Sequence, residues 1–210
     1  MKKFELTSET KINIFGKKLF RIKALISFAD VEAGETGGWV EKEGNVNQSG
    51  NAWVYGNAMV SGNAKVSGDA MVYGNAKVSG DAKVSGNAEV SGNAMVSGDA
   101  IVSGDAIVSG DAKVSGDAMV YGDAKVYGDA KVYGDAMVYG DADYTTIHGF
   151  GAQFRTTTFF RCKDKKVRVA CGCFFGTIPE FREQVKNTRK GKIAEEYLMI
   201  ADLMEKHFEK

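Results

Sequence analysis

A chain of 210 residues with 27 Lys and Arg against 27 Asp and Glu carries no net charge, and it is long enough for one large or two modest domains. No run of about 18 apolar residues is present to span a membrane, and the start, Met1-Lys2-Lys3-Phe4-Glu5, lacks the apolar stretch of a secretion signal. Three cysteines, an odd number gathered at Cys162, Cys171 and Cys173, do not make an extracellular disulfide framework, so a soluble intracellular protein with reduced thiols is expected.

At the N-terminus, Lys11–Phe15 and Leu19–Ile26 read as two strands around Gly16-Lys17-Lys18, a β-hairpin cap over residues 1–37. The glycine-rich segment DVEAGETGGWV follows, and Trp39 in it is a candidate plug for whatever the next region encloses. From Val54 to Val138 valine then recurs every six residues without a break, giving fifteen units of Val, Ser or Tyr, Gly, Asn or Asp, Ala and one variable residue. Tyr144 continues the phase. Upstream, Gly38, Gly44 and Gly50 keep the glycine phase, which puts Val40 and Val46 at the alanine position.

Read as short strands, each unit sends alternate side chains to opposite faces, so Ala58 and Val60 point inward while Met59 and Ser61 point outward. Gly-Asn or Gly-Asp supplies the bend, since glycine takes positive φ freely and Asn or Asp tolerates it. Equal strands and bends wind into a prism whose valines are buried only by stacking coil on coil. Here the sequence resembles the hexapeptide-repeat family of left-handed parallel β-helices, as Val-Ser-Gly-Asp-Ala-Lys illustrates. The resemblance implies a mainly β fold, three strands per coil and left-handed winding over residues 38–144, in five to six coils. At ~4.8 Å per coil the stack would be some 25 Å long.

Beyond the repeats, Phe154–Phe160 and Val167–Phe175 read as strands, and Thr177-Ile178-Pro179-Glu180 opens a helix running to about Thr188. Ile193, Tyr197, Ile200, Leu203, Met204 and Phe208 fall at helical spacing, which predicts a second helix and a small ββαα domain over residues 145–210. Charge divides the same way. Residues 51–143 hold six Lys against eleven Asp and one Glu, a balance of −6, whereas residues 144–210 hold thirteen basic and eight acidic side chains, a balance of +5. An acidic repeat region is the wrong sign for a phosphate backbone, so nucleic acid is not its expected partner.

The flanking segments GKKLFRIKAL, GETGGWVEKEGNV and TTTFFRCKDKKVRVACGCFFGT are similar to those of hexapeptide-repeat proteins of phage and prophage genomes, a family without an assigned reaction. That resemblance implies the cytoplasm of a bacterial host and a non-enzymatic binding scaffold, such as an inhibitor of a host defence protein. Two alternatives stay open: a hexapeptide-class acyltransferase, and a self-assembling structural or virion component. Such acyltransferases resemble one another in using a coil histidine as general base. Here the only histidines are His148, just past the last coil, and His207 in the final helix, so no catalytic residue and no cofactor is expected. Cys162, Cys171 and Cys173 fit zinc-ligand spacing poorly; on one strand Cys171 and Cys173 would share a face, so no metal is expected.

Two constellations remain. Eighteen-residue stacking aligns Asp99, Asp117 and Asp135 in an acidic column, and Asp105, Asp123 and Asp141 in another, each Asp expected to bond its own turn. Like charges about 5 Å apart repel by roughly 1 kcal/mol per pair even in high dielectric, which opens a weak calcium column or an acidic face toward a basic partner as functions. The outward positions give the second: Lys65, Lys83, Ile101, Met119 and Met137 stack in one column and Ser67, Ser85, Ser103, Tyr121 and Tyr139 in its neighbour. Ile101, Met119, Tyr121, Met137 and Tyr139 therefore form an apolar stripe in the late repeats, where the other faces carry Lys113, Lys125 and Lys131. Such a stripe predicts a protein interface, with a host partner or with another copy in a homo-oligomer, unless the C-terminal helices cover it.

Overall fold

A computed structural model describes residues 2–151 and 153–209. Strand β1 (Phe4–Ile12) and strand β2 (Lys18–Ala24) pair antiparallel. Asn13 closes their turn, its side chain accepting from the amides of Phe15 and Lys17 at 2.9 Å each. The first strand thus begins well before the expected Lys11. Strand β3 (Thr36–Val40) pairs antiparallel with β2 and parallel with Met59–Val60, so the hairpin extends one face of the repeat region, and the expected boundary at residue 38 falls within a single strand.

Fifteen two-residue strands follow, from β4 (Trp53–Val54) to β18 (Met137–Val138), each one variable residue and its valine. Partners lie eighteen residues apart, as in Ile101 with Met119 and Val102 with Val120. Three parallel ladders result, with six solenoid strands on the face that includes β3 and five on each of the others. The protein is a three-sided parallel β-solenoid. The repeat valines and alanines line its interior and are fully buried, at roughly 1.5 kcal/mol or more of hydrophobic stabilisation per valine.

Bonds between successive corners run one way. The amide of one coil donates to the glycine carbonyl of the next, as from Asn63 to Gly80 and from Asn75 to Gly92 at 2.8 Å. The first coil is therefore left with bare carbonyls and the last with bare amides. At the first end, the Lys3 ammonium donates to the carbonyls of Gly50 and Ala52 at 3.1 and 2.8 Å. The Asn45 amide serves Gly62 and Ala64 at the same two distances. At the last end, oxygens accept: the Tyr144 hydroxyl from the Tyr127 amide, Thr158 Oγ1 from Lys131, and the Asp143 carboxylate from Tyr139.

The first coil departs from the expected phase. Val40 aligns with Val60 and Val46 with Val66, twenty residues apart, so both occupy the valine position and not the alanine position. Two extra residues between Val46 and Gly50 restore the eighteen-residue step. The bulged segment is put to use: Gln48 accepts from the amides of Lys3 and Phe4 and donates to the Phe4 carbonyl, clamping β1 onto the coil. Trp39 is not the plug. It lies on the outer face of β3 beneath Lys11 and Arg21, whose charges stand 4.3 and 4.9 Å from its ring. Trp53 is the indole the cap buries, met edge-on by Phe4 and Phe28.

Past the coils, β19 (Tyr144–Phe150), β20 (Arg155–Arg161), β21 (Val167–Cys171) and β22 (Phe174–Thr177) form an antiparallel sheet in chain order. Four strands thus replace the two expected. The chain pairs as soon as it leaves the last coil, and the segment read as one strand over 167–175 is broken at Gly172, whose φ is +62°. Cys171 and Cys173 consequently stand on either side of a turn. Helix α1 (Ile178–Thr188) starts at the expected Thr177–Glu180 capping box and precedes α2 (Gly191–Phe208). Leu203, placed with the apolar face of α2 by its spacing, is exposed.

Candidate protein-binding face

One ladder carries the predicted stripe. Lys65, Lys83, Ile101, Met119 and Met137 are consecutive partners along it, in the register that eighteen-residue stacking requires. The rings of Tyr121 and Tyr139 lie beside them with centroids 5.4 Å apart and planes tilted by 32°, and the Tyr121 hydroxyl contacts the Met119 sulfur. Burial, with a smaller contribution from Tyr139, pushes the Tyr121 hydroxyl above its ordinary pKa. Ile101, Met119, Tyr121 and Met137 are half-buried by one another, and Tyr139 is 54% exposed.

The C-terminal region does not cover this stripe. It closes the open end of the last coil: Ala136 bridges Cys162, and Phe160, Cys162 and Ala170 join the same apolar core as the repeat valines. A separate core holds α1 and α2 against the sheet through Phe159, Val169, Phe181 and Tyr197. The helices thus pack on their own sheet, and Tyr139 of the stripe stays exposed.

The acidic corners frame the stripe. Asp99 and Asp117 stand exposed two residues before Ile101 and Met119, and Asp105 and Asp123 stand at the following corner. The side chain of Asp141 lies outside the described residues. Among the described residues the repeat Asp side chains do not bond their own turns as expected. Where they bond along the stack, Asn donates to the next coil, from Asn63 to Asp81, Asn87 to Asp105 and Asn93 to Asp111. The third corner runs out of asparagine after Asn63, so Asp99 and Asp117 have no hydrogen-bond or ion-pair partner among the described residues. Asp135 differs from both: it is half-buried, and its carboxylate faces the Cys162 thiol, which burial above all, and then Asp135, pushes up to about 12. Among the described residues no group of three or more His, Cys, Asp or Glu is placed to hold a metal ion.

His148 sits on β19 at a shallow groove of about 470 Å³ that Asp129, Lys131, Arg155 and Cys173 also line. Its Nδ1 is 3.0 Å from Thr156 Oγ1, which reaches Asp129 at 3.5 Å. Reasoning from sequence passed over Lys3, Asn45 and Gln48. These single polar side chains outside any period carry no local signal, and their roles exist only once the first coil is in place.

The model of the YdcK beta solenoid repeat matches residues 52–66, 64–80 and 88–104, less than half of the chain. No curated protein matches the sequence. Match and coordinates agree on one point: this is a repeat β-helix protein.

Proposed function

We propose that the protein is a non-enzymatic scaffold that binds another protein through Ile101, Met119, Tyr121, Met137 and Tyr139. The observation that carries this reading is the tyrosine–methionine surface left open on the late coils, with Tyr139 more than half exposed. Large aromatic and thioether side chains of this kind form the centres of protein interfaces. Exposed Asp99, Asp117, Asp105 and Asp123 around them favour a partner whose apolar patch has a Lys- and Arg-rich border. A rigid prism presents such a face at no ordering cost, which suits an inhibitor. The likeness of the flanks to phage and prophage proteins supports a bacterial host protein, including one of host defence, as the target.

Photocrosslinking from position 139 in a bacterial host lysate tests this. One discrete protein should be captured, more weakly at high salt, and lost on Met119→Asp or Tyr121→Asp while Lys113→Glu on another face retains it. Capture unaffected by the stripe variants would end the proposal. Mass that grows with protein concentration would instead favour self-assembly, to which the acidic repeats and basic C-terminal region are matched in charge. The hexapeptide-class acyltransferase is carried by the His148–Thr156–Asp129 contacts, and it would require acetyl-CoA turnover abolished by His148→Ala.

A further inference from the structure

Six arginines occur in the chain. Four of them face carboxylates: Arg21 with Glu9, Arg161 with Asp143, Arg168 with Asp164, and Arg182 with Asp202 and Glu205. The other two, Arg155 and Arg189, have no carboxylate partner among the described residues, and both line the same pocket. This pocket, of about 260 Å³, lies between the C-terminal sheet and α1 and α2. Its apolar wall is formed by Phe174, Phe181, Val185 and Tyr197.

The guanidinium groups arrive there from different elements. Arg155 opens β20, and the end of its guanidinium lies against the Gly172 turn. Arg189 follows the last residue of α1. The Tyr197 hydroxyl donates to the Phe150 carbonyl at 3.3 Å. Burial and then Cys171 raise its pKa, Arg189 and Arg155 act on it in the opposite sense, and all three side chains line the one pocket.

We propose that this pocket binds a small amphipathic oxyanion, a carboxylate or phosphate on a short apolar stem. Arg155 and Arg189 hold the charged head through paired N–H donors, the geometry in which guanidinium recognises planar or tetrahedral oxyanions. The phenylalanine and tyrosine rings take the stem, as in ligand sites that are mainly apolar with a few placed polar groups. The volume admits a single ring with its headgroup. The site is separate from the solenoid face and does not depend on it.

Cys173 lines the pocket and is exposed, so its alkylation reports occupancy. The full-length protein is titrated with phenyl phosphate and phenylacetate, and with inorganic phosphate and benzylamine as controls, by calorimetry and by the rate of Cys173 modification with iodoacetamide. Saturable binding of at least one aromatic anion is expected, at least tenfold tighter than either control, with slowed modification of Cys173. The anion that binds more tightly identifies the headgroup. Arg155→Gln and Arg189→Gln should each weaken binding at least tenfold, and Lys186→Gln, on α1 outside the pocket, should not. The proposal is overturned if neither anion saturates, if benzylamine or inorganic phosphate binds as well, or if both arginine variants bind like the parent.

Discussion

The two ends of the solenoid face opposite problems and solve them with opposite chemistry. The first coil presents carbonyls, so its cap brings donors, the Lys3 ammonium and the Asn45 amide. The last coil presents amides, and its cap brings oxygens from Tyr144, Thr158 and Asp143. Neither cap could serve at the other end. An unpaired buried polar group costs more than a typical hydrogen bond contributes, so a strand edge is made safe by matching its polarity as well as by covering it.

The largest expected effect lies between the ends. Gly86 has φ +70°, and a Cβ there would stand 2.8 Å from the Gly104 amide nitrogen of the next coil. Gly86→Ala should cost roughly 3 kcal/mol, combining left-handed strain with a backbone clash. Urea unfolding followed by circular dichroism would measure it. Lys3→Met should come next, at about 2 kcal/mol, because two carbonyls lose a charged donor; Asn45→Leu should match it at a second corner. Thr158→Val, which leaves one amide of the last coil bare, should cost about 1 kcal/mol. Gly128 also has positive φ but no neighbour within 4 Å of a Cβ, so Gly128→Ala should cost only about 1 kcal/mol of strain. A cost for Gly128→Ala equal to that for Gly86→Ala would remove the distinction between end and middle.

Acidity gives a finer test of the first end. Burial lowers the Lys3 pKa to about 8 from 10.5, with Asp69 opposing. Between those values the unfolded chain binds the proton and the folded chain does not, so this group makes stability rise with pH from about 8 toward 10.5 and contributes no slope below. Unfolding at pH 7.5, 8.5 and 9.5 should show that rise, and Lys3→Met should flatten it. A neutral amine keeps two N–H groups for two carbonyls, so the cap survives the loss of charge.

Most of the architecture was legible in the sequence because the period is long and unbroken; valine every six residues with Gly-Asx between admits few other windings. The first coil misled for the same reason. Gly38, Gly44 and Gly50 imitate the phase, and the two extra residues after Val46 are visible only in the pairing of Val40 with Val60. The apolar stripe was legible since stacking follows from arithmetic on residue numbers, whereas its freedom from the C-terminal helices depends on tertiary packing, for which spacing gives no warning. Arg155 and Arg189 could not be paired in advance, because a sheet strand and a helix end meet only after the four-stranded sheet has formed. That sheet was undercounted at Gly172, where a single residue turns one expected strand into two.

The one-way corner bonding has a consequence for how such a molecule can change length. Every coil offers the next the same set of groups, so excising eighteen residues, such as 69–86, returns an identical end to the same cap and shortens the prism by one rung. Removing six or twelve instead rotates the end by one or two sides and brings the wrong corner beneath Thr158 and Asp143. Length is therefore adjustable in whole coils only, like a vernier with a single tooth size, and each deletion also sets how far the tyrosine pair stands from the N-terminal hairpin.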